Sequence, residues 1–178
     1  MPIVRLAILS FGLLLSDSLF SQTKDSSLMV FGDDFIFSVK EPNAWRGDIE
    51  NASQYGANII FYKKNTKLES DEPLIQVLAF KKHDEQTNKD LEADIASYKK
   101  DYPKAKLQDF EARHKNYKCF SKLVYVEKSF YQYIVYMNGG QKYKTAFSVA
   151  MNISRRPATQ AEIKSYLFII ESLTIVGR

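Results

Sequence analysis

The sequence predicts an α+β fold in which an antiparallel β-sheet is flanked by helices. Three observations lead there. Strand signals run in series on both sides of one stretch with helical period, the later strands are joined by connections too short for crossover helices, and a second helical stretch follows them. The 178 residues, 45% hydrophobic and 13% aromatic with seven Gly and five Pro, have the composition of one globular domain. No internal repeat or Pro/Gly/Ser linker divides the chain after Ser27.

The elements follow in order. MPIVRLAILSFGLLLSDSLFSQ opens with one cation, Arg5, then an apolar run from Leu6 to Leu15 and small polar residues, the pattern of a secretory signal peptide over residues 1–21. Cleavage is expected after Ser18 or Ser21. The apolar run is shorter than the about 20 residues that span a bilayer, and no cysteine lies there to carry a lipid. A flexible segment, 22–32, is expected before a single domain over 33–178. FIFSV (Phe35–Val39) alternates and stops at Pro42; ANIIFYKK (Ala57–Lys64) and PLIQVLAFKK (Pro73–Lys82) are rich in β-branched and aromatic residues.

Leu91, Ile95, Tyr98 and Tyr102 then form one stripe of a helix ended by Pro103. LQDFEAR, KCFSKLVYVE, FYQYIVYMN and QKYKTAFSVAMNIS read as an antiparallel meander. Thr159-Gln160-Ala161-Glu162 is a capping box that starts a helix running to about Ser172, with Ile163, Tyr166, Leu167 and Ile170 on one face, before LTIV (Leu173–Val176).

FIFSVKEPNAW (Phe35–Trp45), a long β-hairpin followed by a helix in the middle of the chain, and a final helix running into SLTIV (Ser172–Val176) together resemble the PsbP-like family, over about Asp33 to Val176. The resemblance implies an α/β/α sandwich and a bacterial envelope member. It also implies action by protein binding, since the family includes an accessory subunit of the photosynthetic oxygen-evolving complex, a nuclear import factor that binds a small GTPase, and many envelope proteins. It carries no shared catalytic set. Two departures stand out: Glu41 precedes the proline, and Asn43-Ala44 occupy positions where a glycine often precedes the tryptophan.

Removing residues 1–21 takes away one cation, Arg5, and one anion, Asp17, so the net charge stays at +4. Acidic residues are interleaved with the basic ones, as in KKHDEQTNKDLEADIASYKKD, which argues against nucleic acid. After residue 21 no apolar stretch is long enough to span a membrane, and Cys119, alone, can form no intramolecular disulfide. An exported periplasmic or extracellular protein is expected.

Candidate chemistry is sparse. His83-Asp84-Glu85 puts an imidazole beside carboxylates, but neighbours at a strand end point different ways, and no metal site or cofactor is expected. Glu69, Asp71 and Glu72 sit in a polar loop. His114 lies in a polar connection, EARHKNYK, read as a turn with a small basic patch as the sharper alternative. Cys119 reads as a buried small hydrophobe with a raised thiol pKa, and Gly139-Gly140 joins two strands instead of opening a helix. Trp45 is expected to pack over the sheet edge.

A two-residue turn at Asn138-Gly139 or Gly139-Gly140 would place Phe130, Gln132, Ile134 and Tyr136 with Tyr143, Thr145, Phe147, Val149, Met151 and Ile153 on the core face. Tyr131, Tyr133, Val135 and Met137 would share the opposite face with Lys142, Lys144, Ala146, Ser148 and Ala150. Tyr131, Tyr133, Lys142 and Lys144 are then the partner-binding candidates, unless the second helix or the side chains themselves cover them. The leading expectation is a non-enzymatic accessory domain binding another envelope protein. A carrier of a small apolar ligand held between helix and sheet is the alternative. A hydrolase would require His83 or His114 to reach Cys119 or a serine.

Overall fold

The computed structural model describes residues 27–68, 72–82 and 87–177. The expected signal peptide, the His83-Asp84-Glu85 cluster, Glu69 and Asp71 lie outside the described residues. Among the described residues ten strands form two antiparallel sheets: β1 (Ser27–Phe31), β2 (Ile36–Lys40), β3 (Trp45–Asp48), β4 (Ile59–Lys63), β5 (Leu74–Lys81), β6 (Lys106–Asp109), β7 (Lys118–Val126), β8 (Phe130–Asn138), β9 (Thr145–Ser154) and β10 (Thr174–Gly177). The α+β fold also has two helices among the described residues, α1 (Thr87–Asp101) and α2 (Gln160–Ser172). The large sheet has the order β3-β4-β5-β9-β8-β7-β6, and the small one β1-β2-β10.

The large sheet is the middle layer. On one face α2 and the small sheet meet it in a single core, where Phe37, Val39, Tyr166, Ile169, Ile170 and Leu173 close over Ile75, Val77, Val135, Phe147, Val149 and Met151. On the other face Leu91, with Ile95 and Tyr98, packs against Val124, Ile134 and Tyr136. A 3-10 turn, Ala52–Tyr55, covers Ile60 on this second side. Both faces of β8 are therefore enclosed, because it runs between α1 and α2.

The start of α2 follows from its capping box. Thr159, in extended conformation, accepts from Glu162 N while Glu162 Oε2 accepts from Thr159 N at 2.8 Å. Glu162 is buried and also takes both guanidinium nitrogens of Arg156 at 2.8 Å and Lys63 Nζ at 2.9 Å. These cations hold its carboxyl far below the usual range, so the helix start is tied to β4 by charge.

Three features differ from the sequence reading. Residues 27–31 of the segment expected to be flexible form β1, paired with β2 from Ser27↔Lys40 to Phe31↔Ile36. Trp45 opens β3, an edge strand not read from the sequence because its four residues WRGD carry no apolar alternation, while the Trp45 ring itself is buried at the sheet edge as expected. Finally, β8 and β9 pair from Phe130↔Ser154 to Asn138↔Ala146, so the connection between the last pair is residues 139–145, an odd number. An odd connection reverses the parity that a two-residue turn would give. Tyr131, Tyr133, Val135 and Met137 thus share the α2-side core face with Phe147, Val149, Met151 and Ile153, and Gln132, Ile134 and Tyr136 turn toward α1.

The turn before Trp45 has a further feature. Trp45 N donates to Pro42 O at 3.1 Å, and Ala44 takes φ +66°, the left-handed region.

Candidate functional site

The four partner-binding candidates do not share a face. Tyr133 is buried: its hydroxyl accepts from Ala158 N at 3.2 Å, and its ring meets Phe110 at 5.2 Å and Tyr166 at 6.5 Å, so the segment entering α2 and the helix itself cover it. Tyr131 is half-buried and stacks on its cross-strand partner Tyr125, with centroids 5.4 Å apart and planes 4° from parallel. Lys142 and Lys144 are exposed, but on the loop beyond the paired strands.

That loop is closely determined. Asn138 Oδ1 accepts from Gly140 N at 2.8 Å, Lys82 Nζ donates to Gly140 O at 2.6 Å, and Gly140 takes φ +75°. A side chain at Gly139 would run into Tyr143 and Tyr117, so glycine lets these rings close on the turn. Lys142 Nζ lies 5.3 Å from the centre of the Tyr143 ring, a cation–π distance.

Lys142 and Lys144 line an open cleft of about 960 Å³, together with Lys81, the Gly32–Phe35 turn and the end of β10. Asp33 and Asp34, in that turn, also belong to its lining. Val176 in its lining and Phe31 next to Gly32 are 56% and 71% exposed, more than the other large apolar side chains among the described residues. The arrangement offers cations and apolar surface at one end of the molecule.

A second cleft, about 450 Å³, opens between the C-terminal end of α1 and the large sheet. Tyr98, Tyr102 and Phe130 form one side, and Tyr55, Leu68 and Leu74 another. Gln132 and Asn152, directly opposed on β8 and β9, also line it. Sequence reading missed this site because Gln132 falls within an apolar strand and Asn152 near a strand end. A polar residue in each of two paired strands was the available signal.

His114 and Cys119 do not form a base and nucleophile. His114 Nδ1 accepts from Asn116 N and Tyr117 N, while Nε2 lies 3.0 Å from Leu173 O, which fixes the neutral tautomer as a donor to that carbonyl. Its ring stacks on Tyr117 at 4.3 Å. Burial lowers the His114 pKa, and Lys115 adds to this, while the Leu173 carbonyl and Glu171 oppose it. Tyr117 in turn accepts from Ile175 N at 2.8 Å through its hydroxyl. The pair therefore anchors β10. Cys119 is half-buried, and desolvation pushes its thiol up to about 11, away from the thiolate a nucleophile needs.

No group of three or more His, Cys, Asp or Glu among the described residues is placed to hold a metal, and no described helix is long and apolar enough to cross a membrane. No family model matches the chain, and no curated protein matches it. Among solved structures, the chain is similar to the solution structure of cyanobacterial PsbP (CyanoP) from Synechocystis sp. PCC 6803. The match has 14% identity and a TM-score of 0.52, and it covers 87% of this chain and 95% of that one. The fold is PsbP-like.

Proposed function

We propose that the chain is an exported, non-enzymatic accessory domain that docks on another envelope protein through the cation-bearing end of its large sheet. The observation that carries this reading is the exposure of Lys142 and Lys144 on a tightly held loop, lining one cleft with Lys81 beside the exposed Phe31 and Val176. Lys81, Lys142 and Lys144 outnumber Asp33 and Asp34 in the lining, which suits a partner segment that carries carboxylates, since complementary charge steers encounter and fixes register. The surface keeps the two lysines of the sequence-derived quartet and leaves out its two tyrosines. The PsbP-like fold supports an accessory role, and the residue pattern of 1–21 supports export.

The test is photo-crosslinking from Gln141 in intact cells, repeated in a Lys142→Glu/Lys144→Glu variant. A specific envelope protein crosslinked by the parent chain and lost in the charge-reversed variant, with an unchanged circular dichroism spectrum, is the expected result. Equal capture by both would remove this surface from consideration. Mass spectrometry of the chain from the envelope fraction checks export: a mature start at residue 19 or 22 is expected, and an intact N-terminus would count against it.

A further inference from the structure

We propose that the cleft between α1 and the large sheet binds an uncharged, polyhydroxylated ring, a saccharide unit. Its volume of about 450 Å³ lies within the roughly 300–1,000 Å³ of small-molecule sites. Size alone would not choose a ligand. The lining does.

At its base, Gln132 is only 8% exposed, and its Oε1 is enclosed with no hydrogen-bond partner among the described residues. Such a group calls for a partner, because an enclosed polar atom left unpaired costs about 1–3 kcal/mol. If the amide is turned over, the same logic leaves its nitrogen in search of an acceptor. A hydroxyl group serves either case, because it both donates and accepts; an ammonium only donates and a carboxylate only accepts.

The neighbouring amide is pre-oriented. Asn152 Nδ2 donates to Gln76 Oε1, and Gln76 Nε2 donates to Tyr55 O at 2.7 Å, a chain of bonds across β9 and β5 to the 3-10 turn. Above this polar base stand rings. Tyr102 is 46% exposed and meets Phe130 at 4.8 Å and 63°, and Tyr98 lies 6.3 Å from the same ring. Aromatic faces with planar amides suit a ring whose C–H surfaces are apolar and whose edges carry hydroxyls.

Charge narrows the class. The described lining contains no Lys, Arg or His, so a phosphate or carboxylate would meet no counter-ion. Its one carboxylate, Glu72, is already paired with Lys63 at 2.8 Å. A neutral ligand is the consistent choice. The apolar carrier, the alternative reading of the sequence, would leave Gln132 Oε1 unpaired in its own binding site.

The test is calorimetric titration of the full chain with maltotriose, cellotriose and triacetylchitotriose, with choline and indole as controls. Binding of at least one trisaccharide at or below about 1 mM is expected. Gln132→Leu and Tyr102→Ala should each weaken it about tenfold or more. Tyr102→Ala changes an exposed ring, so its fold is expected to persist should Gln132→Leu unfold. Absence of trisaccharide binding up to about 10 mM, undiminished binding by Tyr102→Ala, or binding of a control alone would overturn the assignment. The loop variants Lys142→Glu/Lys144→Glu should bind the sugar unchanged, which separates this site from the protein-docking surface.

Discussion

The hydroxyl of Tyr166 lies 2.6 Å from the carbonyl oxygen of Val149, and 2.9 Å from that of Tyr133. The ring is fully buried, so α2 does more than rest on the sheet: it reaches over the β8–β9 pairing and donates to backbone there. Each carbonyl has a second lone pair for such a donor, and the single proton serves one of them at a time.

Tyr166→Phe keeps the packed ring and removes only that bond. A loss of about 1 kcal/mol is expected, with a melting temperature lower by about 2–4 °C. Urea unfolding with an unchanged slope checks it; a neutral result would mean that the hydroxyl contributes nothing beyond the ring.

Glu162 offers a larger effect. Replacing it by Gln removes the charge facing Arg156 and Lys63 and weakens the cap, for an expected loss of about 2 kcal/mol, since both cations retain access to water. The carboxyl has a depressed pKa in the fold and an ordinary one, near 4.5, when unfolded. Its contribution is therefore complete above about pH 4.5 and declines as pH falls toward the folded value. Parent and Glu162→Gln melting curves should converge as the pH is lowered through this range, while a constant gap down to acid would contradict the assignment.

For His114 the same linkage applies to a base. Burial lowers its pKa below the ordinary 6.5, so the unfolded chain binds more protons than the fold just below that value. Stability should rise with pH up to about 6.5 and level off above it. Protonation also ends the acceptance from Asn116 and Tyr117, so amide exchange in β10 should quicken selectively in mild acid. His114→Ala should cost about 1–2 kcal/mol at pH 8 and remove this dependence; persistence of the slope in the variant would assign it elsewhere.

Ala44 is in the left-handed region and exposed. That conformation costs an L-residue roughly 1–2 kcal/mol, partly offset by the greater freedom glycine has when unfolded. Ala44→Gly is expected to stabilise by about 0.5–1 kcal/mol. A lower melting temperature would show that the turn before Trp45 carries no strain.

Much of the architecture was readable because local signals agreed with it. The stripe of Leu91, Ile95 and Tyr98 gave α1, and Thr159 with Glu162 gave the start of α2. The faces of the hairpin were not readable, for two physical reasons. Its loop is organised by Asn138, Lys82 and the ring of Tyr143, and so is longer than its Asn-Gly-Gly suggests. Strand β8 is also enclosed on both sides, which erases the alternation that marks a solvent face. β3 escaped notice because an edge strand of Trp-Arg-Gly-Asp lacks a β pattern, and its Gly47 answers to a distant residue: a Cβ there would strike Leu28. The Gln132–Asn152 cleft required a register to bring the two amides together.

The small sheet joins the first described strands to the last one. β2 lies between β1 and β10, and Lys40 N donates to Ser172 Oγ across 132 positions of chain. Until residues near 177 are available, Phe37, Val39 and the inner face of the large sheet have no cover from α2 or β10. The domain is thus bound to fold late and as a whole, since its closing contacts carry the entropy of a very long loop. A chain stopped before Tyr166 would present an open apolar face instead of a smaller stable domain, and limited proteolysis of such a fragment should find no protected core.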